Sequence, residues 1–289
     1  MSLVLPSHVR PSYKSGFARS RAESASPNLW DGLRLAVCPM LGNTGETIPE
    51  QLYRTGVVYP ATGLVWVASK NGPALDLNGS AQYLNMDSTH PATNDTTGTF
   101  VCHVVNDIAT AQNDQLIGYG GTNPVDDFWG IRTRGNGSNN FMRVQGFGGA
   151  ANDTVDFPAT LTAGTFNCLA LTSDGSSWTG YYNAVEQTAS IIAGSNSGEW
   201  LGDTSPTTPL FTLGAIKLNS PGQFFNGQFY TSYLWDRVLT VKELQELTRY
   251  PLAPFRRKIS IPISSGTAPT WQSYWTPRIT QRIVGGGMK

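Results

Sequence analysis

What most constrains this chain is a rhythm of short runs. Apolar or alternating stretches recur at residues 64–69, 82–86, 99–105, 114–120, 128–134, 140–146, 166–173, 178–184, 210–216 and 227–237, separated by turns rich in Gly, Asn and Asp. Runs of that length between turn signals predict strands joined by hairpins. Charged residues are only 14 % of the chain, against 31 Gly, 18 Pro, 12 Phe, 11 Tyr and 8 Trp. Aromatic and β-branched side chains fit a pleated surface, while Gly, Pro, Asn and Asp close its turns, so a helical bundle does not fit. Ten strands with no intervening helix predict an all-β fold, a two-sheet antiparallel jelly-roll sandwich over residues 56–250.

One helix is expected, at residues 239–248. Thr240 can cap it, Glu243 completes a capping box three residues on, and Leu239 and Leu244 fall where a hydrophobic staple would sit. Tyr250-Pro251 ends it. Leu244 and Leu247 share a side, so the helix should lie on a sheet edge or face as a lid.

Basic and acidic side chains number 20 each, which excludes bulk attraction to nucleic acid or an anionic membrane. The balance hides a division. Residues 1–37 carry Arg10, Lys14, Arg19, Arg21 and Arg34 against Glu23 and Asp31, and residues 249–289 carry seven basic side chains and no acid, leaving 8 basic and 18 acidic groups between. Both ends are broken by Pro or Gly and read as extended arms, 1–55 and 251–289, flanking the sandwich. Such segments order only by packing on something. Their aromatic and cationic residues, Tyr13, Phe17, Arg19 and Trp30 on one side and Phe255, Arg256, Arg257, Lys258, Trp271 and Trp275 on the other, are the expected assembly contacts. The expected partner is a protein surface, neighbouring copies in a homo-oligomer included; nucleic acid is disfavoured because the charge is spread among apolar anchors. The alternative is that the arms wrap their own sandwich.

No apolar run approaches the 18 or so residues that cross a bilayer, and the start MSLVLPSHVR lacks a basic leader followed by an apolar stretch, so the chain reads as soluble and unsecreted by the usual route. Cys38, Cys102 and Cys168 are odd in number, far apart and without metal-ligand spacing, and read as buried reduced thiols.

The order of segments resembles concanavalin A-like, laminin-G-like jelly rolls. Residues 73–84 (PALDLNGSAQYL) look like the opening strand pair and 97–104 like the following core strand. Residues 163–175 with 178–183 look like the central hairpin, with Phe166 where a Trp is usual and Ala184 where a Gly is usual; 213–215, 225–239 and the helix resemble the closing strand and terminal helix. The flanks at residues 5–20, 29–33 and 250–256 resemble tailed-phage proteins that carry this jelly roll. The resemblance implies a virion structural protein, such as a capsid decoration or head-associated protein anchored by its arms to the major capsid protein or to neighbouring copies, made in the host cytoplasm. The alternative it leaves is an adhesin, a lectin contacting host polysaccharide.

Enzyme chemistry is not expected. Glycosidases of this fold use a Glu-x-Asp-x-x-Glu strand, which is absent. Glu199 and Asp203 lack that motif, and Gly146 to Gly149 lacks the Lys-Ser/Thr of a phosphate loop. Cys102 and His103 are adjacent on a strand and must point to opposite faces, so they cannot form a nucleophile pair. Residues 173–178 read as a hairpin turn. Lectins of this fold use loop Asp and Asn oxygens for a metal and an aromatic ring for the sugar face, which makes Asp126, Asp127, Trp129, Trp200 and Asp203 the candidate carbohydrate site. No loop offers the 6–8 oxygens that calcium needs, and no metal or cofactor is expected.

Overall fold

The computed structural model describes residues 16–42, 48–49, 57–60, 65–86, 88–107, 113–121, 127–135, 140–148, 151–158, 161–217 and 221–258. The strands are β1 (Leu33–Val37), β2 (Ile48–Pro49), β3 (Val57–Pro60), β4 (Val65–Ser69), β5 (Gly72–Asn78) and β6 (Leu84–Met86). Then come β7 (Gly98–Asn106), β8 (Asn113–Gly120), β9 (Phe128–Gly135), β10 (Asn140–Gly148), β11 (Ala151–Phe157), β12 (Phe166–Ser173) and β13 (Trp178–Tyr182). The rest are β14 (Val185–Gln187), β15 (Ser190–Ala193), β16 (Leu210–Leu213), β17 (Ile216–Lys217), β18 (Pro221–Gly222) and β19 (Asn226–Trp235), followed by α1 (Val241–Arg249).

They form two antiparallel sheets. One runs β14-β13-β12-β7-β19-β5-β4, with β1 also on β19; the other runs β15-β11-β10-β9-β8-β16-β6-β3-β2. The expected sandwich is thus observed. Alternate residues of both sheets, including Phe100, Leu171, Trp178 and Phe229 from one and Ile117, Trp129, Val144 and Phe157 from the other, are buried in a single interior core. Each fully buried chain of this kind contributes about 1.5–3 kcal/mol, so the period-two pattern fixes the register.

A second apolar layer lies outside the first sheet. Val101, Ala170, Tyr233 and Trp235 on the outer side of its central strands are buried against Leu244 and Leu247 of α1 and against Leu29 and Phe255. Thr240 caps α1 by accepting from the Glu243 N–H at 3.3 Å, and Glu243 accepts from the Thr240 N–H at 2.9 Å, completing the expected box. Buried Leu239 and Leu244 sit at the staple positions.

The described parts of the end segments pack on the chain's own sandwich, the alternative expected from sequence. Residues 33–37 form a strand on β19, with Leu35 opposite Leu234 and Val37 opposite Ser232, so the sandwich begins well before residue 56. Phe17 bridges to Arg256, Trp30 Nε1 donates to the Pro254 carbonyl at 2.6 Å, and the Trp30 and Phe255 rings meet edge-on at 5.6 Å. Phe255 is completely buried. A ring with no free surface cannot anchor a partner, so Phe255 serves the chain's own second layer, against which the partly buried Phe17 and Trp30 also pack. Arg19 is half-buried, with its backbone N–H on Glu23, while Arg256, Arg257 and Lys258 are exposed. Tyr13, Trp271 and Trp275 lie outside the described residues.

The three cysteines are buried and free. Cys102 faces the interior core, whereas His103 faces α1, with Nδ1 2.6 Å from Thr231 Oγ1 and Nε2 3.0 Å from the Leu247 carbonyl. Burial lowers the His103 pKa to about 4. One neutral tautomer satisfies both contacts: Nε2–H donates to the carbonyl and Nδ1 accepts from the hydroxyl.

Candidate functional site

The sequence-predicted sugar residues do come together in part, but not as a binding surface. Trp129 and Trp200 meet at 4.7 Å between ring centroids and are 0 % and 1 % exposed. Trp129 Nε1 on the second sheet and Trp178 Nε1 on the first both donate to the Glu199 carbonyl, at 3.0 and 2.7 Å. These indoles therefore pin the loop before the Leu201–Asp203 turn between the two sheets. A sugar cannot stack on a ring that is sealed in the core, which corrects the expectation for Trp129 and Trp200. Asp203 accepts from the Trp200 N–H at 2.7 Å and Asp127 from the Ser205 N–H at 3.3 Å, so both carboxylates order this loop. Asp126 lies outside the described residues. Glu199 has its pKa raised by burial first and then by Asp153, Asp203 and Asp127, which gather around it. Among the described residues no group of three or more His, Cys, Asp or Glu side chains is placed to hold a metal ion.

The chemistry lies instead on the outer face of the second sheet. Because Ile131, Met142, Val144 and Val155 point inward, the alternation sends Phe128, Gly130 and Arg132 of β9, Arg143, Gln145 and Phe147 of β10, and Thr154 and Asp156 of β11 outward. They line up in cross-strand rows. Phe128 is opposite Phe147, with ring centroids 5.7 Å apart and planes 25° from parallel. Gly130 is opposite both Gln145 of β10 and Gly118 of β8. Arg132 is opposite Arg143, which is opposite Asp156.

The face is largely buried. Phe128, Arg132, Arg143, Thr154 and Asp156 are each less than a tenth exposed although they point away from the core. Gly118 and Gly130 leave room in its middle for the Gln115 side chain. A side chain at Gly130 would collide with the Gln115 amide, which lies across it and donates to the Ile117 carbonyl at 2.5 Å. Phe147 and Gln145 stay partly exposed.

The charges are unequal. Arg143 grips Asp156 as a fork, Nε on Oδ1 and Nη2 on Oδ2 at 2.7 Å. Arg132 donates through Nη1 to Gln223 Oε1 at 2.8 Å, while its buried Nε–H has no acceptor. Its pKa falls to about 10, first through burial and then through the Arg143 charge, with Asp156 opposing, so it remains a cation at neutral pH. The rows thus bring two guanidiniums together with one carboxylate. Sequence reasoning missed this face because it weighed loops, whereas the signal lay in the alternation of residues 128–134 and 140–148.

Comparison with known proteins follows the same lines. A family model described as the concanavalin A-like lectin/glucanases superfamily matches residues 78–245. Among solved structures, the *Ruminococcus gnavus* IT-sialidase CBM40 bound to α2,3 sialyllactose is 15 % identical at a TM-score of 0.51, over 61 % of this chain and 96 % of that one. Domain 4 of AbnA, a GH43 extracellular arabinanase from *Geobacillus stearothermophilus*, in complex with arabinotriose, is 16 % identical at 0.52, over 75 % and 98 %. *Trypanosoma rangeli* sialidase in complex with sialic acid is 16 % identical at 0.52, over 75 % of this chain and 32 % of that one. Such identities establish a shared fold. No curated protein matches the chain.

Proposed function

We propose, for a chain that belongs to the concanavalin A-like lectin/glucanase superfamily, that it is a carbohydrate-binding protein whose site is the outer face of the nine-stranded sheet. One observation carries this reading. The outward rows of β9 to β11 carry a stacked Phe128–Phe147 pair, with Phe147 and Gln145 partly exposed and Thr154 and the arginines beside them. Aromatic carbon against a sugar ring and fixed polar groups around its hydroxyls are what a glycan requires of a groove. That neighbours of the same fold include a carbohydrate-binding module with sialyllactose and an arabinanase domain with arabinotriose supports the choice of ligand class.

Binding without catalysis fits the carboxylates. On the outward positions of β8 to β11, among the described residues, Asp156 is the sole acid, and Arg143 holds it; an acid paired with a nucleophile has no place there. Between the two expectations from sequence, an arm-anchored virion protein and an adhesin, this favours the second, since the described parts of both terminal segments pack on the chain's own sheet.

A glycan array probed with the full chain tests the reading. Binding should fall roughly tenfold or more in Phe147→Ala, whose partly exposed ring is a small loss to the fold, consistent with about 1–3 kcal/mol for a well-packed aromatic anchor. A full chain that binds no glycan, or a Phe147→Ala chain that binds unchanged, sinks it.

A further inference from the structure

Arg132 and Arg143 lie directly opposite each other on neighbouring strands, and both are more than nine-tenths buried. Like charges so placed repel, and a buried cation is costly unless it is paired. The hydrogen bonds of Asp156 go to only one of them. Arg143 meets that carboxylate with its Nε and Nη2 edge. On Arg132, Nη1 is tied to Gln223, and the Nε–H of the corresponding edge is buried with no acceptor. The net charge of the trio is therefore positive, beside a guanidinium–carboxylate fork that is already formed.

We infer that the ligand of this face carries a carboxylate, seated on the Nε edge of Arg132 as Asp156 is seated on Arg143, so that the substrate class is acidic glycans. The inference rests on the carbohydrate reading above and narrows it. A planar carboxylate matches the guanidinium fork in geometry as well as charge, and a neutral sugar would leave the buried positive charge uncompensated. The Phe128–Phe147 pair, four residues further along each strand and so roughly 13 Å away, is then placed for a neighbouring sugar ring.

The test is calorimetric titration of the full chain with two carboxylated glycans, trigalacturonate and 3′-sialyllactose, beside their neutral counterparts, the methyl-esterified trisaccharide and lactose, and a sulfated trisaccharide. At least one acid should bind ten times or more as tightly as its neutral counterpart, the factor expected for one charge-assisted hydrogen bond. Arg132→Gln should erase that preference, and Arg132→Lys, which keeps the charge and loses the fork, should recover only part of it. Without ligand, Arg132→Gln should melt at the same temperature as the parent or higher, because it removes one of two adjacent like charges; a merely structural arginine would show a loss. Equal affinity for acid and neutral forms overturns the inference and leaves the carbohydrate reading standing. A preference that survives Arg132→Gln overturns it too, by placing the anion elsewhere. Sulfate esters bound as tightly as carboxylates overturn the fork argument, and binding of no glycan of any kind removes both readings together.

Discussion

The outer face of the eight-stranded sheet is apolar and covered: Val101, Ala170, Tyr233 and Trp235 are sealed beneath α1 and residues 29 and 253–255. The outer face of the nine-stranded sheet carries two arginines, an aspartate, glycines and a pair of phenylalanines. The first face buys stability with the chain's own ends. The second holds buried charge that no described acid fully balances. The same alternation builds both faces, so what separates a structural surface from a binding surface is which residue types occupy the outward positions, and whether another part of the chain closes over them.

The sharpest way to break this comparison is to open the covered face. Phe255→Ala removes a completely buried ring and should lower stability by about 3–5 kcal/mol, read by chemical denaturation, while the folded fraction keeps its glycan affinity. A loss of affinity by the folded protein would join the two faces into one functional unit.

A smaller effect concerns His103, which ties α1 to the sheet. Its folded pKa of about 4 lies below the ordinary 6.5, because burial disfavours the cation. The unfolded chain therefore binds the proton first, and this group's contribution is complete above pH 6.5 and is lost as pH falls to about 4. The loss should total about 3 kcal/mol. The quantity to measure is the difference between the parent and His103→Gln across that window. The raw curve also contains Asp114, raised to about 7 by burial, and Asp95, raised to about 6 by burial and then by Asp236 against the pull of Arg34. Parallel curves for parent and variant would refute the latch.

The smallest effect is at the turn after β13. Asn183 and Ala184 both have positive φ, 49° and 61°, as a two-residue hairpin of this hand requires, and Ala tolerates that conformation poorly. Ala184→Gly should relieve it but forfeit a buried methyl and gain unfolded-chain entropy, moving the melting midpoint by the equivalent of less than about 1 kcal/mol. A gain well above that would mean turn strain, rather than the covered layer, limits this side of the sandwich.

Much of the architecture was legible from residues. The ten runs all became strands, and Thr240 and Glu243 announced the helix cap. β11 was missed because Ala-Asn-Asp-Thr-Val-Asp-Phe reads as loop: its inward Val155 and Phe157 are few, and its outward positions are the polar site itself. β1 was missed because a five-residue strand inside a basic, Pro-punctuated segment has no local partner; its partner lies some two hundred residues away. The candidate site was illegible for a related reason. Tryptophans attract attention as sugar platforms, yet their size suits them to the core, and Trp129 and Trp200 went there, whereas Arg132 and Arg143 became neighbours only through strand pairing.

The position of β19 sets the order of assembly. It is the last strand among the described residues, and it hydrogen-bonds β7 along one side and both β5 and β1 along the other. On a ribosome adding roughly 5–20 residues per second, β1 would emerge on the order of ten to forty seconds before β19, its partner among the described strands. Until then the chain must carry an unmatched N-terminal strand and an open seam in the first sheet, which makes slow, late closure and a need for protection during synthesis properties of the topology itself.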